Sequence, residues 1–434
     1  MFWGVAMLWE INKDIWFDSD KLFIIKGKQN YFEYISNIDK YPNINMQSMR
    51  GKYPTIVFLS STACNLKCRY CFADAGTYGN RTPKRFFSAD EYLYVYRLAL
   101  KQYGGINAIS FFGGEPMLNI KEIEKFVIYL HEHYEKIPTM AISSNGTIMN
   151  KKIKNFLCKY NVHFGTSLDG PKEFNDLYRV GDSIESVYDS VESTLLSIKN
   201  LPIKKGLQMT IGKEHILNYK KGMIESWIKD IERLGVDNFE LVPVTSNDIE
   251  YKINLDNSRI YENYVQLCND YADYCLDMLT RNEQPKIMSK IFISLILHIV
   301  KRIYQEDCSA GYSFCVSPEL KGYPCHVCAD NDAFSVDFDE NFKTKIETHE
   351  NFQKVKSVEK RNIEICQKCI AKNVCSYVCK GLCANNEYIL PQERCFMMNI
   401  FLKKVIVFLA DKYHLHSEVI KNNIIKLNCG DINV

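Results

Sequence analysis

The sequence predicts an α/β fold, in which a partial (β/α)6 barrel of the TIM type precedes a small cysteine-rich domain. Three observations lead to this prediction. Between residues 55 and 279, six short apolar runs alternate with six longer segments of 3.6-residue periodicity. Four successive runs lead directly into loops of distinctive composition, which is typical of the face of a β/α barrel where catalytic groups gather. Finally, ten of the 17 cysteines lie within residues 308–395.

The elements of the predicted barrel follow from the bounds of these runs. The predicted strands are Thr55–Ser60, Ala108–Phe112, Thr139–Ser143, Val162–Ser167, Gly206–Ile211 and Phe239–Val244. The predicted helices are Ala89–Tyr103, Ile120–Tyr134, Lys151–Tyr160, Ile184–Ile198, Lys220–Leu234 and Arg259–Leu279. Ser88 and Glu91 have the spacing of a capping box at the start of the first helix. Such units can form an open doubly wound sheet or part of a barrel, and the loops favour the barrel.

Length and charge exclude several classes of protein. The chain has 434 residues, which is enough for two or three domains. Its 54 basic and 52 acidic residues leave a net charge of +2, so nucleic acid is not an expected partner. The most apolar run, Ile291–Val300, is much shorter than the ~20 residues that cross a membrane. No membrane partner is therefore expected.

The start of the chain bears on the location of the protein. Met1–Glu10 is apolar but has neither the basic start nor the cleavage site of a signal peptide. A cytoplasmic location is therefore predicted, where thiols stay reduced and clustered cysteines serve as metal ligands rather than disulfides. The predicted organisation is an N-terminal extension (1–52), the barrel (53–285), a linker helix (286–307), the cysteine-rich domain (308–400) and a C-terminal helical segment (401–434).

A cysteine loop directly follows the first predicted strand. Cys64, Cys68 and Cys71 have the spacing C-x3-C-x2-C. A cuboidal iron–sulfur cluster normally takes four thiolates. Three local thiolates therefore need either a distant fourth cysteine or an iron left open for a small molecule, like the open position of a catalytic metal. A zinc site is the alternative for such a loop.

This spacing, with Tyr70 just before the third cysteine, resembles the cluster loop of the radical S-adenosylmethionine (SAM) enzymes. In that family the open iron binds the amino and carboxylate groups of SAM, and one electron then cleaves SAM to a 5'-deoxyadenosyl radical. The loops Gly113–Pro116, Ser143–Gly146 and Ser167–Pro171, after the next three predicted strands, follow in the family's order. The resemblance extends from the first predicted strand through the sixth.

The resemblance implies roles in SAM binding for two of these loops. Gly113, Gly114 and Glu115 would hold the amino group, since glycines let a backbone approach a ligand closely and a carboxylate accepts from an ammonium. Ser144 and Asn145 would contact the ribose or the carboxylate. Taken alone, the first loop could equally be a strand-to-helix turn, and the second an ordinary turn.

Four further residues complete the implied SAM site. Tyr70 would lie near adenine. Ser167 and Arg179 could both serve a carboxylate, although a turn with a surface ion pair would explain the same residues. Gln208, on the fifth predicted strand, faces inward either as a ligand-binding group or as hydrogen-bonded filler.

The cysteine-rich region has the spacing C-x2-C-x5-C-x3-C from Cys366 onward, and it resembles the SPASM domain. This two-cluster module is appended to radical SAM enzymes that modify peptides and proteins. The resemblance implies two auxiliary [4Fe–4S] clusters, whereas two zinc ribbons are the alternative. The implied ligands are Cys308, Cys315, Cys325 and Cys379 for the first cluster and Cys366, Cys369, Cys375 and Cys395 for the second. Cys328 and Cys383 are left over and are interpreted as buried thiols.

Together these resemblances predict a radical SAM peptide maturase with three [4Fe–4S] clusters and SAM as cofactors. Its expected partners are a ribosomal precursor peptide and a reductant such as ferredoxin or flavodoxin. The deoxyadenosyl radical would take hydrogen from the peptide, and the carbon radical would couple to a cysteine sulfur to give a thioether. Because this cross-linking is a net oxidation, the auxiliary clusters would accept the surplus electron.

Three alternatives stay open. A sulfatase maturase would oxidise Cys or Ser to formylglycine, but such enzymes place an Asp base directly after the third cysteine of the first auxiliary cluster, where this chain has His326. His326 is therefore the candidate catalytic base, or else a group that only supports the cluster. A radical enzyme acting on a small molecule is the second alternative. A non-enzymatic zinc-ribbon binding protein is the third, and it would contain zinc without iron.

Overall fold

The computed structural model describes residues 7–46, 50–79, 84–246, 248–281, 287–385, 390–413 and 418–423. Residue 286, where the predicted linker helix begins, lies outside this part of the chain. So do residues 414–417 and 424–434 of the predicted C-terminal segment. No helix in the part described has the length and apolar character that crossing a membrane requires.

The strands form two sheets. They are β1 (Leu8–Asn12), β2 (Ile15–Asp18), β3 (Phe23–Lys26), β4 (Thr55–Leu59), β5 (Ala108–Phe112), β6 (Thr139–Ser144), β7 (His163–Ser167), β8 (Lys205–Ile211), β9 (Asn238–Pro243), β10 (Met288–Ser289), β11 (Phe314–Val316), β12 (Lys321–Tyr323) and β13 (Val336–Asp337). The first three form a small antiparallel sheet. The other ten form one sheet in the order β10-β9-β8-β7-β6-β5-β4-β11-β12-β13, which is parallel from β10 to β11.

Helices connect these strands. They are α1 (Lys28–Ser36), α2 (Ala89–Tyr103), α3 (Ile120–His133), α4 (Lys151–Lys159), α5 (Lys172–Tyr178), α6 (Val187–Ile198), α7 (Lys213–Leu217), α8 (Met223–Arg233), α9 (Ser258–Thr280), α10 (Lys290–Lys301), α11 (Phe342–Thr348), α12 (Glu350–Ser357), α13 (Glu364–Gln367), α14 (Lys380–Asn385) and α15 (Gln392–Asp411). The six predicted barrel strands correspond to β4–β9. The predicted α/β class with a central parallel sheet is therefore confirmed.

Local signals explain where individual helices begin and end. At the start of α2, the Ser88 hydroxyl accepts from the Glu91 amide at 3.2 Å while the Glu91 carboxylate accepts from the Ser88 amide at 2.8 Å. The helix ends at Gly104, whose φ of 73° is left-handed. The helix predicted to begin at residue 184 begins instead at Val187, because Ser186 caps it.

The large sheet continues into the cysteine-rich region. β11 lies beside β4, with Cys315 opposite Val57, and β12 and β13 extend the sheet beyond it in antiparallel pairing. Because the carboxyl ends of parallel strands meet at one edge of a sheet, the loops after β4, β5, β6 and β7 lie side by side. The cysteine-rich region is thus attached next to the strand that leads into the cysteine loop.

The N-terminal sheet packs against the C-terminal helix. β1, β2 and β3 all contact α15. Lys26 forms an ion pair with Asp411 at 2.7 Å. Trp16, Ile25 and Tyr34 form a small buried core of their own beneath this sheet. The N-terminal sheet and α15 therefore stabilise each other.

Candidate active site

The cysteine loop lies at the carboxyl end of β4. Cys64, Cys68 and Cys71 are all partly exposed and in no disulfide. Burial raises the pKa of the Cys68 thiol to about 11, and the charges of the other two thiolates contribute to the rise. The Cys64 sulfur accepts from the Leu66 amide at 3.4 Å and from the Asn145 side chain at 3.7 Å. Such N–H donors stabilise a thiolate, which is the form that binds metal.

The two glycines after β5 bring the cysteine loop close to this strand. The Gly114 amide donates to the Ser61 carbonyl at 3.0 Å, and the Glu115 amide donates to the Ala63 carbonyl at 2.8 Å. A Cβ atom on Gly114 would lie 2.2 Å from the Ala63 oxygen. Gly113 has a φ of +119°, which few other residues adopt. The close approach at these glycines joins two segments of the chain's own backbone. The contact of Gly113 and Gly114 with SAM stays a prediction.

Glu115 joins this strand end to the next one. Its side chain is fully buried, and burial raises its pKa. The carboxylate accepts from the Met117 amide at 2.9 Å, the Ser144 hydroxyl at 2.8 Å and the Asn145 amide at 2.6 Å. These three donors favour the ionised form and oppose the rise. Glu115 therefore holds the loop after β6 against the loop after β5.

Asn145 in turn holds the cysteine loop. Its side-chain amide donates to the Asn65 side chain at 2.8 Å, and its oxygen accepts from the Thr147 amide at 3.0 Å. Asn65 also donates to the Thr147 hydroxyl at 2.8 Å. The resemblance implies that Asn145 contacts the ribose or the carboxylate of SAM, and this stays a prediction. The sequence did not single out Asn65 and Thr147, although both are adjacent to motif residues.

A third contact to the cysteine loop comes from the end of α5. The Lys67 and Arg69 amides, on either side of Cys68, donate to the carbonyls of Val180 and Tyr178 at 2.7 and 2.8 Å. These carbonyls flank Arg179, so Cys68 and Arg179 face each other. The short helix α5 was not predicted, and this clamp could not be seen from periodicity.

Tyr70 and Arg179 meet at the same place. The Tyr70 hydroxyl donates to a carboxylate oxygen of Asp169 and accepts from Arg179 at 2.9 Å. Arg179 and Asp169 lie 4.0 Å apart and are both buried. The alternative of a surface ion pair is therefore wrong for Arg179, which belongs to a buried network, and Tyr70 has two protein partners in it.

Ser167 and Gln208 lie on β7 and β8, the strands beyond β6 in the sheet. They are directly opposite each other in the pairing of β7 with β8. Ser167 is half-buried, whereas Gln208 is exposed. The structure thus brings the seven other predicted SAM contacts into one network around the cysteine loop, and these two residues lie beside it.

A buried polar group beside the loop is suited to a further ligand. The Nε of Arg179, which stands opposite Cys68, is buried and has no hydrogen-bond partner within the described part of the chain. A buried donor without a partner is costly, so it marks a place where an anionic or polar ligand fits. No three Cys, His, Asp or Glu side chains among the described residues are arranged to hold a single metal ion. The donor chemistry of the loop, with three thiols and N–H groups directed at sulfur, fits an iron–sulfur cluster.

The C-terminal cysteines fall into two groups. Burial raises the pKa of Cys379 to about 11, and the neighbouring thiolates of Cys325 and Cys308 raise it further. Cys328 belongs to this group as well, because the same three thiolates contribute to the rise in its pKa. Cys315, the predicted fourth ligand, is fully buried on β11.

The second group contains the four predicted ligands of the second auxiliary cluster, which are Cys366, Cys369, Cys375 and Cys395. Burial raises the pKa of Cys395 to about 12, and the thiolates of Cys375, Cys366 and Cys369 contribute. Cys383 is fully buried near both groups, since its pKa is raised by burial and then by thiolates of each. The interpretation of Cys328 and Cys383 as buried thiols agrees with their lack of exposure.

His326 lies where the first group meets the barrel. Its ring packs 4.8 Å from that of Phe112 and 5.7 Å from that of Phe72, measured between centroids. Burial lowers the pKa of His326 to about 4. Phe72 directly follows Cys71, and its side chain is 51% exposed. The two cysteine regions are thus bridged by aromatic rings.

Two relatives of known name share parts of this sequence. A cysteine-type anaerobic sulfatase-maturating enzyme of Clostridium perfringens is 25% identical over 336 residues, which are 74% of this chain and 87% of that enzyme. An Fe-coproporphyrin III synthase of Methanosarcina barkeri is 29% identical over 178 residues, which are 41% of this chain and 42% of the synthase. The chain thus spans less than half the length of the second relative.

Two solved structures share the fold. The structure of anSMEcpe with bound AdoMet superposes with a TM-score of 0.66 at 19% identity, and the match covers 86% of this chain and 97% of that one. Streptococcus suis SuiB bound to its precursor peptide SuiA superposes with a TM-score of 0.51 at 17% identity, covering 85% and 80%. At these identities the superpositions show a common fold. Residues 58–212, which contain the cysteine loop and the three loops beside it, match the family model of the radical SAM superfamily, and the chain therefore carries a radical SAM domain.

Proposed function

We propose that the protein is a radical SAM peptide maturase that joins a cysteine sulfur to a carbon of a precursor peptide. The observation that carries the proposal is the distribution of thiols: a three-cysteine loop at the carboxyl end of β4, and two more thiol groups in the cysteine-rich region. Peptide complexes of two proteins with this fold support a peptide as substrate, because SuiB was solved with SuiA and anSMEcpe with a peptide.

Three iron–sulfur clusters and SAM would be the cofactors. Cys64, Cys68 and Cys71 would hold the cluster that binds SAM, and the two C-terminal groups would hold one auxiliary cluster each. When bound, the cluster at the cysteine loop would supply the electron that cleaves SAM to a 5'-deoxyadenosyl radical, and the auxiliary clusters would accept the electron left over at the end. The chain's own part is to hold the loop rigidly, through Glu115 and Asn145 on one side and the end of α5 on the other.

The proposed cross-link is a two-electron oxidation of the peptide. One C–H bond and one S–H bond break, and one C–S bond forms. The hydrogen atom leaves in 5'-deoxyadenosine, and a proton and an electron leave from the thiol. An external one-electron reductant such as ferredoxin or flavodoxin would start each turnover.

Formylglycine formation is the second candidate. It is favoured by the match to 87% of the length of the Clostridium perfringens sulfatase-maturating enzyme. His326 in place of the Asp of such enzymes counts against it. The two reactions differ in the fate of the sulfur, which a thioether keeps and formylglycine loses. Mass spectrometry of a cysteine-containing peptide after incubation with enzyme, SAM and dithionite distinguishes them.

The first test of the proposal is the metal content of the anaerobically reconstituted protein. We expect about twelve irons per chain, falling to about eight in a Cys64/Cys68/Cys71→Ala variant, because one of three four-iron clusters is lost. Release of 5'-deoxyadenosine from SAM under reductant should disappear in that variant. Cys158→Ala, outside all three groups, is the control and should leave both unchanged. Zinc without iron in the intact protein would sink the proposal and restore the zinc-ribbon alternative.

A second test concerns His326. We expect His326→Ala to lower the yield of modified peptide at least tenfold, while deoxyadenosine formation without peptide stays near that of the unaltered enzyme, because the side chain lies between the two cysteine regions. His326→Phe is the matched variant, since it keeps a ring against Phe72 and Phe112 but lacks the nitrogens. Product yield unchanged in both variants would remove His326 from the chemistry. Yield restored by Phe alone would reduce its role to packing.

A further inference from the structure

The end of α5 forms a clamp on the middle of the cysteine loop. Two backbone hydrogen bonds, from Lys67 to Val180 and from Arg69 to Tyr178, hold the two chain segments side by side. A Cβ atom on Gly181 would lie 2.8 Å from the Leu66 side chain. The clamp therefore fixes which residue stands opposite Cys68. That residue is Arg179, whose guanidinium carries a permanent positive charge.

The clamp also contains a fixed negative charge. One Asp169 oxygen accepts from the Tyr70 hydroxyl, and the other accepts from the Thr210 amide at 3.0 Å. Donors to both oxygens and a guanidinium beside them favour the ionised form of the carboxyl group. Burial raises the pKa of Asp169, and Arg179 opposes the rise. The pair is thus a buried cation and anion, 4.0 Å apart, with Tyr70 bonded to both.

The backbone of Asp169 is held as firmly as its side chain. Its amide donates to the Asn175 side chain at 3.1 Å, and its carbonyl lies 2.8 Å from Nε2 of His215. Since Nδ1 of His215 accepts from the Gly212 amide at 3.1 Å, Nε2 carries the proton and donates to that carbonyl. Burial lowers the pKa of His215 to about 4, which keeps the ring neutral. The anion therefore cannot move away from the loop without breaking these bonds.

Both charges act on Cys68, and in opposite directions. Arg179 lies opposite Cys68 across the clamp, and Asp169 is bonded to Tyr70, two residues further along the same loop. A charge this close to a thiolate acts in the same direction on a metal group bound to that thiolate. Net charge near an iron–sulfur cluster is one of the determinants of its reduction potential.

We propose that Arg179 and Asp169 are positioning residues whose opposed charges, held beside Cys68 by the clamp, offset each other's effect on the reduction potential of the cluster in the Cys64–Cys71 loop. The inference rests on the proposed function, because it assumes a cluster at this loop. A cluster gains negative charge on reduction, so a nearby cation favours the reduced state and a nearby anion opposes it. The two charges therefore act in opposite directions, and each offsets the effect of the other.

The test is a reductive titration of the reconstituted enzyme with Arg179→Gln and Asp169→Asn. The potential is followed by electron paramagnetic resonance through the part of the signal that is absent from the Cys64/Cys68/Cys71→Ala variant. Arg179→Gln leaves Asp169 unbalanced, so the potential should fall. Asp169→Asn leaves Arg179 unbalanced, so the potential should rise. The expected size is about tenfold in the ratio of reduced to oxidised cluster at a fixed potential, which is ~59 mV for one electron.

Two further variants keep the test decisive if a single substitution prevents cluster assembly. Arg179→Lys preserves the charge and should leave the potential close to the native value. The Arg179→Gln/Asp169→Asn double variant removes both charges and should do the same. Asp182→Asn is the matched control, because Asp182 pairs with Lys67 of the same loop but in solvent, with 72% of its side chain exposed. It should not change the potential.

The outcomes separate this inference from the proposed function. If the protein carries no cluster at Cys64, Cys68 and Cys71, the proposed function fails. If the cluster is present but the two single variants leave the potential unchanged, or shift it in the same direction, the inference alone is overturned. A shift in the double variant as large as in either single variant would overturn it too.

Discussion

Gly114→Ala is expected to destabilise the protein by about 3–5 kcal/mol and to empty the Cys64–Cys71 loop of iron. The added Cβ would lie 2.2 Å from the Ala63 oxygen and 2.6 Å from its carbon, and both atoms belong to the backbone. The backbone cannot yield cheaply, because the Glu115 amide donates to that same oxygen. Moving the two segments apart would break this bond and the neighbouring one to Ser61.

Gly165→Ala is the control for this substitution. Gly165 lies on β7 in the same sheet, and the nearest atom to an added Cβ there is 3.6 Å away. Its effect should stay within about 1 kcal/mol. Urea unfolding gives the free energy of unfolding of both variants, and iron analysis gives their cluster content. A Gly114→Ala protein with native stability and full iron would show that the close contact to the cysteine loop is not needed.

The parallel sheet was predictable because its signals are local. Each of the six strands is an apolar run of five to seven residues bounded by turns, and each carries its own loop. The order of the loops then placed the candidate site at one edge. A strand of only three residues such as β11 has no such signal, and its pairing with β4 joins residues more than 250 positions apart.

The residues of the site were also largely predictable, but their partners were not. Glu115, Asn145 and Tyr70 were assigned to a ligand from the types of group they carry. In the structure each of them hydrogen-bonds to the protein, and each bond joins loops that are far apart in sequence. The choice between a ligand and a protein partner depends on three-dimensional proximity. For the same reason the sequence places Asp169 in the Ser167–Pro171 loop but cannot show that it pairs with Arg179.

Cys328 shows the same limit in the second half of the chain. The resemblance to the SPASM domain implies Cys315 as a ligand of the first auxiliary cluster and leaves Cys328 over. The fold brings Cys328 next to the other thiols of this group, because its short turn packs against α14, where an added Cβ on Gly381 would lie 3.3 Å from the Cys328 sulfur. The spacing of the cysteines in the sequence cannot show that α14 packs over Cys328.

The second large effect is expected for Lys360→Met, which should destabilise the protein by about 3–5 kcal/mol and remove iron from the cysteine-rich region. Lys360 is 1% exposed. Its ammonium lies 3.7 Å from the Asp307 carboxylate and donates to the Cys375 carbonyl at 3.0 Å and to the Gln305 carbonyl. Asp307 directly precedes Cys308, so this one cation connects the two C-terminal thiol groups. Without it, a buried carboxylate loses its counter-charge and two carbonyls lose their donor.

Lys368→Met is the matched control. Lys368 pairs with Glu364 at 2.6 Å on the surface of the same region, but both side chains are more than two-thirds exposed. An exposed pair of this kind contributes at most about 1 kcal/mol. Urea unfolding and iron analysis should therefore show a loss of stability and of iron in Lys360→Met but not in Lys368→Met. The Lys360→Met/Asp307→Asn double variant should recover part of the lost stability, because the uncompensated charge is gone. A Lys360→Met protein no less stable than Lys368→Met would contradict the assignment of Lys360 as the buried connector of the two thiol groups.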